Sequence, residues 1–386
     1  MTTIQSNNSG PAMEPQNTPG AMQAPVSPSL WALAWKRLRA DKIAMGAMAV
    51  VLAFLLLILL SGTGLIASDW DQEVGVNYAP PTFIGAQSAD ERGMSTSSEN
   101  DAIPENPLDP LKDIIRELRA QDEAGTVVLS DSGVVDPLEK EMAEIRAELA
   151  KKTGKAHAKR LETLPFGADK WGHDIIKKTI KGAETSIVVG LVAALVATVL
   201  GTLFGAVSGY FGGWVDDFFN WFYSIFTAIP SFLMILTVAA VLQKKGVLSI
   251  VLILGLTGWT GAYRLIRAEY MKHKAREYVM AADAIGASHW RKIVSHIFPN
   301  VSHVALVQMS ILVVGFIKSE VILSYLGFGV PVGVVSWGSM LNEAQNELIL
   351  GKWWQLAAAS IGMAVLVTAF SLFTDALRDA LDPKMK

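Results

Sequence analysis

The chain contains no cysteine in 386 residues. Disulfides, thiolate zinc sites and cysteine nucleophiles are therefore excluded. Charge is scarce too: 18% of residues are Asp, Glu, Lys or Arg, against roughly 25% in a soluble domain. No GxxxxGK[ST] loop is present to hold nucleotide phosphates, and neither HExxH nor GxSxG occurs. The six histidines show no metal-ligand spacing. Nothing supports catalysis, a metal site or a cofactor in this chain. The net charge of −3 is too small to point to a partner, and no nucleic acid is expected.

What the chain has is apolar sequence, 51% of residues, and it comes in blocks. Residues 1–28 are rich in Ser, Asn, Gln, Pro and Gly and read as a disordered cytoplasmic tail. Residues 29–68 hold a basic flank (Lys36, Arg37, Arg39, Lys42) and a first transmembrane helix. Ile43 to Ser68 carries no charge, and a bilayer core needs about 20 such residues. A cleaved signal would have a shorter apolar core, about 7–15 residues.

Five further spans are expected: Thr185–Val215, Phe218–Gln243, Gly246–Tyr263, Val301–Leu326 and Trp353–Thr374. The Val301–Leu326 span is interrupted by Lys318 and Glu320. Six spans put both termini on one side. Basic residues before the first span and across 264–303 (Arg264, Arg267, Lys272, Lys274, Arg276, Arg291, Lys292) assign that side to the cytoplasm. Lys177, Lys178 and Lys181 argue the other way, but the loop before them is long and long loops translocate largely regardless of charge.

Residues 69–180 form an acidic, polar insertion on the outer side. Asp109-Pro110 and Asp136-Pro137 look like helix starts. Leu111, Ile114, Ile115 and Leu118, then Leu138, Met142, Ile145 and Leu149, recur at helical spacing. Two short amphipathic helices are expected there. Residues 181–386 then form a five-helix core.

Within that core the stretch AADAIGASHWRKIVSHIFPN, residues 281–300, lies between apolar runs. Glu277 opens a short helix whose Ala281, Ala282, Ile285 and Gly286 offer a small-residue face. Gly286 can end it in a left-handed conformation, and Ser288 can cap a second short helix. Pro299 is expected to break that helix and Asn300 to cap the next span. On residue chemistry alone, an ordinary loop between spans explains the segment about as well.

The segment resembles the cytoplasmic loop of binding-protein-dependent ABC permeases, with Ala281 and Ala282 before Gly286 and Pro299 at the closing position. Two departures are His296, where that family prefers Ile, and Phe298, where it prefers Leu. The acidic residue of that signature has only Glu277 nearby. LPFGADKWGHDIIKKTIKGAETSIVVG resembles the approach to span two in dipeptide/oligopeptide (Dpp/Opp) C-type subunits: Gly167, Asp169, Gly172, Asp174 and Gly182 keep their places, and His173 replaces Arg. GYFGGWVDDFF, EVILSYLGFGVP, SWGSML and DALRDALDPKMK extend the likeness over residues 30–70 and 164–386.

The resemblance implies an all-α polytopic membrane protein, a six-helix type I importer permease with a MetI-like core, in a bacterial inner membrane. It implies a second permease subunit, one or two ABC ATPase subunits that bind the ATP, and a solute-binding protein outside. It assigns ATPase coupling to loop 277–299 through Glu277, Ala281, Ala282, Ile285, Gly286, Arg291 and Pro299. Glu320, Gly327 and Gly329 are the candidates for the pathway or outer gate. Peptide is the expected cargo. Nickel chelates or another small solute on the same machinery are the alternative, and a channel or secondary transporter is the competing class.

Overall fold

The computed structural model describes residues 30–85, 160–244 and 246–381. The tail 1–28 and the two helices expected in the insertion lie outside the described residues. Among the described residues the regular elements are helices, and β pairing is limited to three isolated bridges. The order is α1 (Leu30–Ala40), α2 (Lys42–Gly62), α3 (Ile175–Phe211), α4 (Gly213–Ala228), α5 (Ser231–Leu242), α6 (Val247–Thr257), α7 (Thr260–Lys274), α8 (Glu277–Ala284), α9 (His289–Tyr325), α10 (Trp337–Ile349) and α11 (Trp354–Leu381).

Among the described residues, four helices, α2, α3, α9 and α11, are long and apolar enough to cross a membrane. The count reaches six if each of two bent pairs is one span. The expected continuous span Phe218–Gln243 is in fact α4 and α5, which meet at 85°. Pro230 is the cause: it pushes Ile229 into the extended region (φ −102°, ψ 133°) and ends α4 there. The span expected at Gly246–Tyr263 bends by 40° between α6 and α7 and continues to Lys274. Gly258 marks that bend, and a side chain there would run into the Phe316 ring.

The helix expected to begin at Val301 begins at His289 instead, because Pro299 does not break it. Lys292–Ile297 form a π turn just before it, where the Phe298 N–H reaches back to the Ile293 carbonyl. The wider turn accommodates a proline ring that would crowd the preceding α-helical turn. Asn300 is thus no cap; its side-chain amide donates to the His296 carbonyl at 2.9 Å.

The central element is α3. Asp174 caps its start, accepting from the N–H groups of Ile176 (2.8 Å) and Lys177 (3.4 Å). This start lies ten residues before the expected one, since hydropathy registers Lys177, Lys178 and Lys181 as outside a span while the helix simply includes them. Ala193, Ala194 and Ala197 are sealed within the bundle. Helices α2, α6, α7, α9, α10 and α11 pack around α3. One end of the bundle carries the segments flanking the insertion; the other carries α8 and the turn after it.

Candidate functional site

At the latter end, α7 runs into α8 through only Ala275 and Arg276. Helix α8 closes as expected at Gly286 (φ 77°). The Gly286 N–H bonds to the Asp283 carbonyl at 2.9 Å, and the Ala287 N–H to that of Ala282 at 3.0 Å. This paired closure requires a left-handed residue. Ser288 then caps α9, accepting from the Arg291 N–H at 3.4 Å. Lys292 reaches back to Asp283 and ties the two arms together. The hydrogen bond from Lys292 holds the Asp283 carboxyl below its usual range.

The inner face of this helix–turn–helix is fixed to the bundle. Val279, Ile293 and Ile297 are buried with Tyr210 of α3 and Ile266 and Tyr270 of α7. Tyr270 donates to the Ile293 carbonyl at 3.3 Å, and the Tyr210 hydroxyl lies 2.9 Å from His289 Nδ1. The outer face is apolar and uncovered: Met280, Ile285, Trp290 and Val294 are all more than half exposed, Ile285 at 84%. Of the residues singled out from sequence, Glu277, Ala281, Ile285, Gly286, Arg291 and Pro299 are exposed on this projection, while Ala282 turns inward. Met280, Trp290 and Val294 were not among them; the four-residue spacing of Trp290 and Val294, which puts both on one helix face, was the available signal.

The opposite end holds a polar hub. The segments at 74–82 and 161–174 are knitted by backbone hydrogen bonds, among them Val76 N–H to Leu161 carbonyl (2.9 Å) and Ala168 N–H to Ala79 carbonyl (2.8 Å). Gly172 (φ 86°) allows this, because a Cβ there would overlap the Gly75 carbonyl. Asp169, fully buried, organises the turn. One oxygen accepts from the N–H groups of Trp171 (2.8 Å) and His173 (3.0 Å); the other meets His173 Nδ1 (2.9 Å) and Lys178 Nζ (2.7 Å). Lys178 also reaches Glu343 of α10 at 2.6 Å, and Gln355 of α11 donates to Glu343 at 3.2 Å. Burial alone would raise the Asp169 carboxyl; the adjacent Lys178 charge, with hydrogen bonds from Lys178 and the His173 backbone, overrides it and holds the group low.

Three lysines that ran against the charge rule are thereby explained. Lys177 pairs with Asp69 (2.6 Å), Lys178 with Asp169 and Glu343, and Lys181 with Glu184 (2.8 Å). Beside the hub sits Glu347, 1% exposed, with neither oxygen hydrogen-bonded among the described residues. Burial pushes it up to about 7, against the opposing pull of Lys178. Glu343, Glu347 and Gln355 lie far in sequence from Asp169, and spacing gave no hint that they meet it.

Glu320 lies within the bundle and is fully buried. It accepts from Ser324 at 2.6 Å, with the hydroxyls of Ser186 and Ser336 alongside. Gly327 (φ 84°) and Gly329 shape the turn after α9; a Cβ at Gly329 would fall on Ser324. Glu320 and these glycines therefore gather around Ser324.

Residues 201–386 match the family described as binding-protein-dependent transport system inner membrane component. Residues 29–81 match the N-terminal TM domain of oligopeptide transport permease C. The chain is 34% identical over 221 residues to the dipeptide transport system permease protein DppC of Bacillus subtilis, covering 57% of this chain and 69% of that protein. It is 36% identical over 221 residues to the oligopeptide transport system permease protein OppC of the same organism, covering 57% and 72%. Over 219 residues it is 36% identical to OppC of Salmonella typhimurium, with the same coverage.

Proposed function

Since this chain belongs to the binding-protein-dependent transport system inner membrane components, we propose that it forms one half of the pore of an ATP-driven importer that takes up peptides. In this reading a second permease subunit completes the pore. Cytoplasmic ATPases, which bind and hydrolyse the ATP, engage residues 277–299. A solute-binding protein delivers cargo at the hub end, which faces out, and both termini face the cytoplasm. The cargo class rests on the dipeptide and oligopeptide permeases to which the chain is similar.

The observation that carries this reading is the projection at Glu277–Ile297. Its inner face is locked to α3 and α7, and its outer face presents Met280, Ile285, Trp290 and Val294 to a partner. A surface that must follow an ATPase needs both properties: rigidity behind and an apolar contact in front. The test is co-expression with candidate ATPases, a second permease and a binding protein, reading peptide uptake and co-purification. ATP-dependent peptide uptake supports the reading; a chain that conducts solute alone, with no ATPase bound, would replace it with a channel.

A further inference from the structure

Helix α3 packs against α7 through a run of evenly spaced glycines. Gly201, Gly205 and Gly209 recur every fourth residue and face α7 along three turns. A Cβ on Gly201 would lie 2.6 Å from the Trp259 carbonyl oxygen, on Gly205 2.8 Å from that of Tyr263, and on Gly209 2.5 Å from that of Arg267. The two backbones are therefore in direct contact, which only glycine permits. Where the ladder ends, a polar clamp begins. Arg267 of α7 donates to both carboxylate oxygens of Asp216 of α4, Nε and one terminal nitrogen each at 2.6 Å. Ser208 of α3 donates to the same carboxylate and lies 3.1 Å from the Tyr263 hydroxyl. Asn220 of α4 accepts from Tyr263 at 3.3 Å and donates to the Asp216 carbonyl at 2.9 Å. Above the clamp the rings of Phe219, Phe222 and Phe226 pack on Trp259 and Tyr263.

The ends of α3 give this packing a consequence. Tyr210 touches the coupling projection at His289, and Lys178, on the same helix, anchors the hub. The 32 helical steps from Lys178 to Tyr210 span about 48 Å at 1.5 Å per residue. We propose that Asp216 and Arg267 are positioning residues for coupling, which with the glycine ladder hold α3 and α7 as one rigid lever carrying displacement of the projection to the hub. This rests on the importer reading above. A bidentate fork fixes direction as well as distance, so the clamp sets the angle at which α7, and hence α8, leaves the bundle.

The test uses the assembled transporter in proteoliposomes, with peptide uptake and ATP hydrolysis measured together. Asp216→Asn and Arg267→Lys keep size or charge but lose the fork. Each is expected to lower peptide taken up per ATP on the order of tenfold while ATPase association and hydrolysis persist. The exchange Asp216→Arg with Arg267→Asp is expected to restore part of that ratio in a double-mutant cycle. Normal uptake per ATP in both single variants would overturn the proposal. A variant that fails to assemble is covered by a second measurement on the otherwise native chain. Spin labels at the exposed positions Val199 of α3 and Met271 of α7 are expected to keep one separation with and without nucleotide. A shift on the order of one helical turn, about 5 Å, would overturn it. If the unsubstituted complex shows no uptake, the importer reading fails instead.

Discussion

Lys178 Nζ sits 2.7 Å from a carboxylate oxygen of Asp169, and both side chains are sealed from solvent. An ion pair so placed holds the loop before α3 onto the helix it precedes. Removing one member leaves the other charge buried and uncompensated. Lys178→Met should therefore destabilise by about 3–5 kcal/mol. The double variant Lys178→Met with Asp169→Asn should be less affected than the single. Thermal unfolding in detergent measures both, and equal loss in single and double variants would contradict the pairing.

Glu347 makes stability depend on pH. Its folded value lies near 7, above the ordinary glutamate value of 4.5, so the folded chain holds this proton more tightly than the unfolded one. The contribution is full below about 4.5 and is lost as pH rises through about 7. Lys178, Asp169, Glu343 and Tyr78 are the charged and titratable groups around it. Glu347→Gln should flatten the pH dependence across that window and raise the unfolding midpoint at pH 8 by about 2–4 °C per kcal/mol recovered. A variant with the native pH slope would assign the effect elsewhere.

Gly286 is constrained by its backbone, since a Cβ there would meet nothing within 4 Å and φ is 77°. Gly286→Asn should then be tolerated, because asparagine adopts this conformation in helix ends. Gly286→Val should cost about 1–2 kcal/mol in the turn and weaken both ATPase co-purification and uptake, with membrane abundance unchanged. Loss in both variants alike would mean that size at the contact matters and the turn does not.

Glu320 is enclosed by its own chain, so uptake should follow stability when it is changed. Glu320→Gln preserves an acceptor for Ser324 and should leave both close to native. Glu320→Ala strands the serine hydroxyls and should lose about 1–3 kcal/mol. Strongly reduced uptake in a fully stable Glu320→Gln protein would place this residue on the transport path.

Local signals carried well from sequence to structure. Gly286 and Ser288 sit where a turn and a cap were expected, because a left-handed residue and a capping hydroxyl act over three or four positions. Pro230 was legible in principle: a proline inside an apolar run bends it, and apolarity alone hid the 85° break. Pro299 misled for the opposite reason, since the π turn that accommodates it has no compositional mark. The every-fourth-residue spacing of Gly201, Gly205 and Gly209 in GTLFGAVSG, not singled out from sequence, is a close-packing pattern, but nothing in it indicates α7 as the partner helix. The hub was invisible because Asp169, Glu343 and Gln355 meet only through tertiary folding.

In the proposed importer, residues 277–299 meet an ATPase at the end of the bundle opposite the hub. The chain has no cysteine, so one introduced residue is a unique chemical handle. Ile285 (84% exposed) on the projection and Ile349 (83% exposed) at the end of α10 are equally accessible. Each is replaced by cysteine in turn, and the assembled transporter is treated with a short heterobifunctional thiol–photoactivated crosslinker. Ile285→Cys is expected to join to the ATPase subunit and Ile349→Cys is not. Crosslinking to the ATPase from Ile349→Cys with none from Ile285→Cys would contradict this placement.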